Sequence, residues 1–248
     1  MNCTFCLLSC GEDTEIECLA SIENFKDKII FQEVRNISPQ SKALNTMIMQ
    51  CRTDYLVPLD SDFILNKNAL DRITEAINST KLDNWHSILF PMWDVLTQEK
   101  IRSLKVFNTK IVKNFLYKNV RNPDAQHFSD LQAAGYKCIE YMSEDPIGNH
   151  VCRGKIRCYS RYKAVVFSKI KTKGRIFAIR YALNHHFLFE RFLKETKNDD
   201  YLYCILGLYD GLSCYDYSDI SKSNLEEINI ESEISHVRER IKKFISMV

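Results

Sequence analysis

Short apolar runs alternate along the chain with stretches in which apolar residues recur three or four positions apart. The runs predict strands, and the intervening stretches predict helices. The predicted strands cover residues 4–10, 28–34, 55–59, 87–92, 105–107 and 137–142. The predicted helices between them cover residues 14–25, 38–51, 66–78, 109–117 and 122–135. Residues 1–150 are therefore predicted to form an α/β domain, a mostly parallel sheet with helices on both faces.

Residues 151–248 predict a helical carboxy-terminal extension with a basic segment. Residues 153–180 contain ten Lys or Arg and no Asp or Glu, with interleaved aromatic residues. Three interpretations stay open: a solvated helical face, a surface for a polyanionic or lipid-diphosphate acceptor at the membrane, or a nucleic-acid surface. No nucleic-acid motif accompanies the segment, so we predict no nucleic-acid partner. Further helices are predicted at 178–194, 201–212 and 235–248, and the last has the apolar spacing of a partner surface, for a second copy or a membrane.

Composition restricts the class of protein. The chain has 248 residues, a net charge of +2, 45% hydrophobic and 27% charged residues, as in ordinary globular proteins. No uncharged run approaches the roughly 18 residues of a spanning helix, and the amino terminus lacks the basic region of a secretion signal. We therefore expect a cytoplasmic protein, with any membrane contact at the inner face, and reduced cysteines. Cys3 and Cys6 have zinc-like or redox-like spacing, but without a second pair we interpret them as small apolar strand residues.

Two carboxylates follow the predicted strand at residues 55–59. Asp60 and Asp62 flank a small Ser61 at a strand end, the edge where open α/β sheets bind ligands. Such a pair can share a hard divalent cation, Mg²⁺ or Mn²⁺, which keeps waters and bridges substrate phosphates. The alternative is a solvated acidic loop. Pro58 is predicted to lie beyond the paired part of the strand, because proline cannot donate a ladder hydrogen bond.

The order of four sequence features resembles that of glycosyltransferases with the GT-A fold, family 2 type. The aspartate motif by itself is not specific to this family. The four features in this order are more specific to it, and together they cover residues 3–150. The features are the strand end at Ser9–Glu12, the helix with Lys42 and Asn45, the Asp60-Ser-Asp62 motif, and Pro123-Asp124 followed by Gly135-Tyr-Lys. One departure concerns the nucleotide base: family members carry paired aspartates where this chain has Glu33-Val-Arg35-Asn36, so the base is left open.

The resemblance implies a metal-dependent enzyme that moves a sugar, with inversion, from a nucleotide diphosphate sugar such as a UDP-sugar to a glycan or lipid-linked acceptor. It implies Asp62 as metal ligand, Asp60 as a ligand through water or a ribose contact, and His150 as a further metal or diphosphate ligand. The general base is implied to be Asp124, with His127 to orient or replace it. The nucleotide-sugar contacts are implied to be Ser9, Glu12, Arg35, Lys42, Asn45, Asp60 and Asp94.

Two other functions stay open at this point. A nucleotidyltransferase that forms sugar nucleotides shares the fold class, but it needs a Gly- and Arg-rich loop after the first strand, and residues 9–13 contain no basic residue. A non-catalytic nucleotide- or sugar-binding protein on the same scaffold is the other alternative, and the shortened base pocket favours it. Release of nucleoside diphosphate from a sugar nucleotide distinguishes these possibilities.

Overall fold

A computed structural model describes residues 2–120, 123–194 and 199–213, together with Ser235 and Glu239. The chain divides into two compact units, Met1–Val151 and Cys152–Val248. The predicted terminal helix at 235–248 lies outside the described residues except for these two positions, so its role as a partner surface stays a prediction.

The first unit is built on one twisted sheet. Its described strands have the order β2-β1-β3-β6-β5-β8-β4, with β7 beside β5. Pairs β1–β2, β1–β3, β5–β7 and β5–β8 are parallel, and pairs β3–β6, β5–β6 and β4–β8 are antiparallel. The α/β class and the mostly parallel sheet are thus confirmed. The strands are β1 (Cys3–Ser9), β2 (Ile30–Arg35), β3 (Tyr55–Asp60), β4 (Phe63–Leu65), β5 (Trp85–Asp94), β6 (Glu99–Asn108), β7 (Lys137–Glu140) and β8 (Gly148–His150).

Helices cover both faces of this sheet, as predicted. Neighbouring strand residues point to opposite faces, so Phe5 and Val57 join one apolar cluster with α1 and α3, while Cys6 and Leu56 join another with α2, α4 and α5. Cys3 and Cys6 are both buried, as expected for small apolar strand residues. The helices are α1 (Glu15–Ile22), α2 (Gln40–Gln50), α3 (Ala69–Ser79), α4 (Thr109–Val112) and α5 (Pro123–Ala133).

The placement of Pro58 was wrong. Pro58 lies inside β3 and aligns with Cys6 of the central strand β1. On its other side, β6 pairs only with Tyr55 and Leu56. Among the described residues, that side therefore has no strand partner beside Pro58, and a missing N–H there removes no ladder hydrogen bond.

Two predicted boundaries in the first unit were also wrong. The short strand at 105–107 is the ten-residue strand β6, which pairs with β5 from Glu99 to Phe107. The helix predicted at 109–117 ends at Val112. The Asn45 side chain explains this early end, because its Nδ2 donates to the Tyr117 carbonyl (2.9 Å) and its Oδ1 accepts the Tyr117 N–H (2.7 Å). These bonds hold the following loop in a non-helical path.

The second unit consists of helices over its described residues. The predicted helix 178–194 is divided at His185 and His186, whose Nδ1 atoms lie 2.8 Å from the carbonyl oxygens of Tyr181 and Leu183. These local side-chain bonds compete with the helical backbone pattern. No described helix is long and apolar enough to cross a membrane. The helices are α6 (Lys155–Lys173), α7 (Arg175–Asn184), α8 (Phe187–Lys194) and α9 (Asp200–Ser213).

Helices α6 and α9 approach closely at two glycines. A Cβ atom on Gly207 would collide with the Tyr159 carbonyl oxygen, and one on Gly211 would lie 2.7 Å from the Lys163 carbonyl oxygen. We expect Gly207→Ala to lower the free energy of unfolding of the second unit by about 1–3 kcal/mol, because rigid backbone must move apart. Urea unfolding followed by circular dichroism measures this, with Ser168→Ala on the exposed face of α6 as the control. Equal stability of the two variants would contradict the close approach.

Candidate active site

Three buried side chains meet where β4, β5 and β8 adjoin. Strand pairing aligns His150 with Phe63 of β4, next to Asp62, and with Asp94 at the end of β5. The His150 Nε2 atom lies 3.0 Å from Asp62 Oδ2, and its Nδ1 atom lies 3.0 Å from Asp94 Oδ2. Asp62, Asp94 and His150 are 2%, 1% and 6% exposed. The imidazole thus bridges two carboxylates that are largely shielded from water.

The surrounding backbone fixes this arrangement. Asp94 Oδ1 accepts hydrogen bonds from the N–H groups of Leu96 (3.1 Å) and Thr97 (2.9 Å), which leaves Oδ2 directed at the imidazole. The Phe63 ring packs edge-on against His150, with 5.5 Å between ring centroids. With Asp94 accepting from Nδ1–H, Nε2 faces Asp62 Oδ2, and a cation bound between the two atoms would take the place of the Nε2 proton. A carboxylate that orients a histidine in this way is the usual outer partner of a metal-binding histidine.

The Asp62 and His150 atoms have the spacing of two neighbouring metal ligands. Ligands at right angles, each about 2.1 Å from a cation, are separated by about 3.0 Å, and the Nε2–Oδ2 distance is 3.0 Å. The same 3.0 Å is also the distance of a direct ion pair, and the two side chains are compatible with a divalent cation. Within the described part of the chain, no group of three or more His, Cys, Asp or Glu side chains is arranged to hold a metal ion. Asp60, predicted as a third ligand, does not complete such a group, which leaves the other coordination positions to water or phosphate.

Asp60 instead lines a narrow cleft with Asp124. Between them lies Lys105, whose Nζ donates to Asp124 Oδ1 at 2.8 Å. The Tyr117 hydroxyl donates to the same oxygen at 3.3 Å. Burial raises the pKa of Tyr117 well above 10, and the Asp124 charge raises it further, so the phenol is a neutral donor. The full lining is Leu8, Gln40, Leu44, Pro58, Asp60, Phe63, Ser103, Lys105, Tyr117 and Asp124.

The charge of Asp60 is costly in this cleft. Enclosure by protein raises the pKa of Asp60 to about 6, and the Asp62 charge adds to the effect, although Lys105 opposes it. The side chain nevertheless keeps solvent-exposed surface. A cation or a donor hydroxyl would relieve the repulsion between these two carboxylates. Such repulsion is typical of functional sites.

This cost predicts a pH-dependent gain in stability on removing the carboxylate. The folded-state pKa of about 6 lies above the unfolded value of about 3.9, so ionisation opposes folding above pH 6 and the penalty disappears as the pH falls toward 4. We expect Asp60→Asn to raise the free energy of unfolding by about 1 kcal/mol at pH 7.5, since solvent screens an accessible charge. The gain should fall to about a third of this value near pH 4.5 and vanish below about pH 3.5. Urea unfolding at both pH values measures it, and a pH-independent difference would contradict the assignment.

The predicted residues at the ends of β1 and β2 form one network. Register places Ser9 beside Arg35. The Ser9 hydroxyl lies within hydrogen-bond distance of carboxylate oxygens of Glu12 (2.9 Å) and Glu15, while Arg35 pairs with Glu15 and Glu33, each at 2.8 Å. Partial burial raises the pKa of Glu12, but hydrogen bonds, chiefly from Ser61 and the Cys10 N–H, more than offset this and lower it overall. The structure thus brings Ser9, Glu12 and Arg35 together at one sheet edge.

The other predicted residues have different surroundings. Lys42 is exposed on α2, where it lines an open pocket with Asn45 and Tyr117. His127 is buried, its Nε2 lies 2.7 Å from the Phe115 carbonyl oxygen, and its ring stacks on Tyr117 with centroids 4.0 Å apart. Burial lowers the pKa of His127. Asn45 and His127 therefore position Tyr117, and their predicted contacts with substrate or proton stay predictions.

Sequence reasoning did not select Lys105 or Tyr117. Lys105 alternates along β6 with buried Leu104 and Val106, so it lies on the opposite face of the strand. A cation placed between two apolar strand residues was the available signal. Tyr117 was assigned to a helix that does not extend so far, and no local pattern indicated its contact with Asp124.

The chain matches no protein-family model and no curated protein sequence. It is similar in structure to the mannosyltransferase PcManGT from Pyrobaculum calidifontis in complex with GDP-Man and Mn²⁺, with 12% identity, a TM-score of 0.46, and coverage of 99% of this chain and 79% of that one. It is also similar to residues 1–349 of TarS from S. aureus, with 14% identity, a TM-score of 0.44, and coverage of 98% and 89%. The bifunctional IspDF from Campylobacter jejuni has 16% identity and a TM-score of 0.40, with 59% and 51% covered.

Proposed function

We propose that the first unit is a glycosyltransferase that uses a nucleotide diphosphate sugar and a divalent cation, Mn²⁺ or Mg²⁺. The observation that carries the proposal is the buried Asp62–His150–Asp94 arrangement at the ends of the strands, where Asp62 of the Asp-x-Asp sequence lies 3.0 Å from His150, a distance compatible with two ligands of one cation. In such a reaction a bound cation acts as a Lewis acid for the charge that develops on the leaving diphosphate.

Within this proposal, Asp62 and His150 are the protein ligands of the cation. Asp94 accepts the Nδ1 proton of His150, which directs Nε2 at the cation and prevents the ring from rotating. Asp60 binds the cation through water or holds the donor ribose, and either contact relieves its repulsion with Asp62. Ser9, Glu12 and Arg35, together at the ends of β1 and β2, contact the nucleoside, while Lys42 reaches phosphate as a point charge.

The acceptor's proton goes to Asp124 in the proposed reaction. Among the described residues, Lys105 and Tyr117 both bind Oδ1 of this carboxylate, so Oδ2 is the oxygen that takes the proton. The two donors position the carboxylate at the start of α5, across the cleft from Asp60. A base held in this way can remove the proton as an acceptor hydroxyl of a glycan or a lipid-linked sugar attacks the donor.

A binding panel followed by product analysis tests the proposal. The full chain is heated with UDP, GDP or CDP in Mn²⁺, Mg²⁺ or EDTA, and a ligand at 100 times its Kd adds about 2.7 kcal/mol of apparent stability. We expect one nucleotide to stabilise the protein only with metal, and its sugar conjugate to be converted to nucleoside diphosphate. Release of pyrophosphate from a nucleoside triphosphate and a sugar phosphate would instead establish nucleotidyl transfer. Binding without any turnover, with acceptor sugars present, would favour the non-catalytic alternative.

A further inference from the structure

The turn between α6 and α7 forms an exposed tip. Gly174 (φ +86°) ends α6 and begins α7, a conformation that favours glycine. The two helices fold back on each other, since Lys169 of α6 lies over the ring of Tyr181 of α7 at 4.0 Å. All seven residues from 171 to 177 are exposed. We call residues 171–177 the hairpin tip.

The hairpin tip combines apolar and basic side chains. Ile176 is 68% exposed and Phe177 is 41% exposed, beside Lys171, Lys173 and Arg175. No Asp or Glu occurs from residue 146 to residue 189. In the part of the chain that the structure describes, no carboxylate forms an ion pair with the three tip cations. Two large apolar side chains are therefore presented to solvent close in sequence to three positive charges.

This combination fits the interface of an anionic membrane better than a nucleic acid. Apolar side chains that enter the boundary between head groups and acyl chains are stabilised there, while nearby lysine and arginine bind the acidic head groups. A base-stacking surface needs an open aromatic face. The Phe177 ring instead lies under the Lys173 ammonium, 4.7 Å from its centroid, and under that of Lys169 at 5.9 Å. Ile176 has no function in stacking.

We propose that the hairpin tip binds a lipid surface with acidic head groups. Ile176 and Phe177 enter the outer part of the bilayer, and Lys171, Lys173 and Arg175 contact the head groups with their aliphatic stems along the apolar boundary. This binding belongs to the second unit and is independent of the metal site and of the proposed sugar transfer.

Vesicle sedimentation tests the proposal with the full chain. The vesicles are phosphatidylcholine alone or with about a third phosphatidylglycerol, at low and high salt. We expect binding only to the acidic vesicles, and weaker binding in high salt. The variant Lys171→Gln/Lys173→Gln/Arg175→Gln should lower the partition coefficient by about tenfold or more. The variant Ile176→Ser/Phe177→Ser should lower it by about tenfold as well.

Matched controls exclude a general effect of charge or hydrophobicity. Lys67→Gln/Lys81→Gln/Lys110→Gln removes three exposed cations from the first unit, and Ile16→Ser/Met142→Ser removes two apolar side chains that are 80% and 81% exposed. Both controls should bind vesicles as the unsubstituted chain does. Equal losses in controls and tip variants would overturn the proposal, because binding would then follow net charge or total apolar surface.

A fluorescent probe reports whether the tip enters the bilayer. In Phe177→Trp, the emission of the added tryptophan should shift to the blue on acidic vesicles and should be quenched by lipids brominated along the acyl chain. Unshifted emission would overturn the proposal. So would tight binding of a single-stranded oligonucleotide without vesicle binding, or a fall in sedimentation mass on substitution of the tip, since the occupant would then be nucleic acid or a second copy. Metal-dependent nucleotide stabilisation, unchanged in the tip variants, keeps this test separate from that of the proposed function.

Discussion

Asp62→Asn should lower Mn²⁺-dependent nucleotide affinity by at least about 100-fold. Asp62 supplies one of two protein ligands in the proposed site, and even the outer partner of a metal ligand contributes about 10- to 100-fold to metal affinity. Calorimetric titration of nucleotide in the presence and absence of Mn²⁺ measures the effect. Asp71→Asn, which changes an exposed aspartate on α3, is the control.

Two companion variants separate binding from folding. Asp94→Asn should lower Mn²⁺ affinity by about 10- to 100-fold, because the amide no longer fixes the ring tautomer of His150. His150→Ala should weaken metal binding as strongly as Asp62→Asn. Free Mn²⁺ measured by electron paramagnetic resonance reports binding without any assay of turnover. Folded variants with unchanged Mn²⁺ affinity would show that the three residues form a structural ion pair only.

Asp124→Asn should reduce the rate of sugar transfer by about 10²- to 10⁴-fold, the usual contribution of a general base. The amide keeps the shape of the side chain and can still accept from Lys105 and Tyr117, but it cannot take a proton. The donor Kd should change by less than about threefold, because Asp124 is proposed to contact the acceptor hydroxyl and not the donor. Steady-state kinetics with saturating donor, together with donor titration, measure the two quantities.

The matched control is Asp130→Asn on the same helix. Asp130 pairs with Lys118 at 2.7 Å and does not line the cleft. If Asp124→Asn transfers sugar at a rate near that of the unsubstituted chain, Asp124 is only an acidic residue at the start of α5. His127 is then the next candidate for the general base. Loss of donor binding would place Asp124 in the donor half of the cleft, a relevant outcome because Asp60 lines the same space.

The strands and helices of the first unit were largely predictable, and the errors have identifiable causes. The apolar run ending in Asp60 and Asp62 was located because alternation and run length reflect burial directly. Pro58 was misplaced because the span of β6 along β3 is set by pairing between distant segments. The early end of α4 was missed because the Asn45 side chain, from another helix, binds the Tyr117 backbone.

The sequence alone selected most of the candidate site residues, and the tertiary structure decided which of them meet. Charge at the end of a strand is a local property, so Asp60 and Asp62 were recognisable from their neighbours, whereas Asp124, in the first turn of α5, was selected through the family resemblance. The contact of His150 with Asp94, 56 residues away, and with Asp62 depends on the register of β8 against β5 and β4. Lys105 reaches the cleft, and His127 points into the core, because each strand or helix can bury only one face. That choice of face results from packing between distant segments, which local sequence patterns do not record.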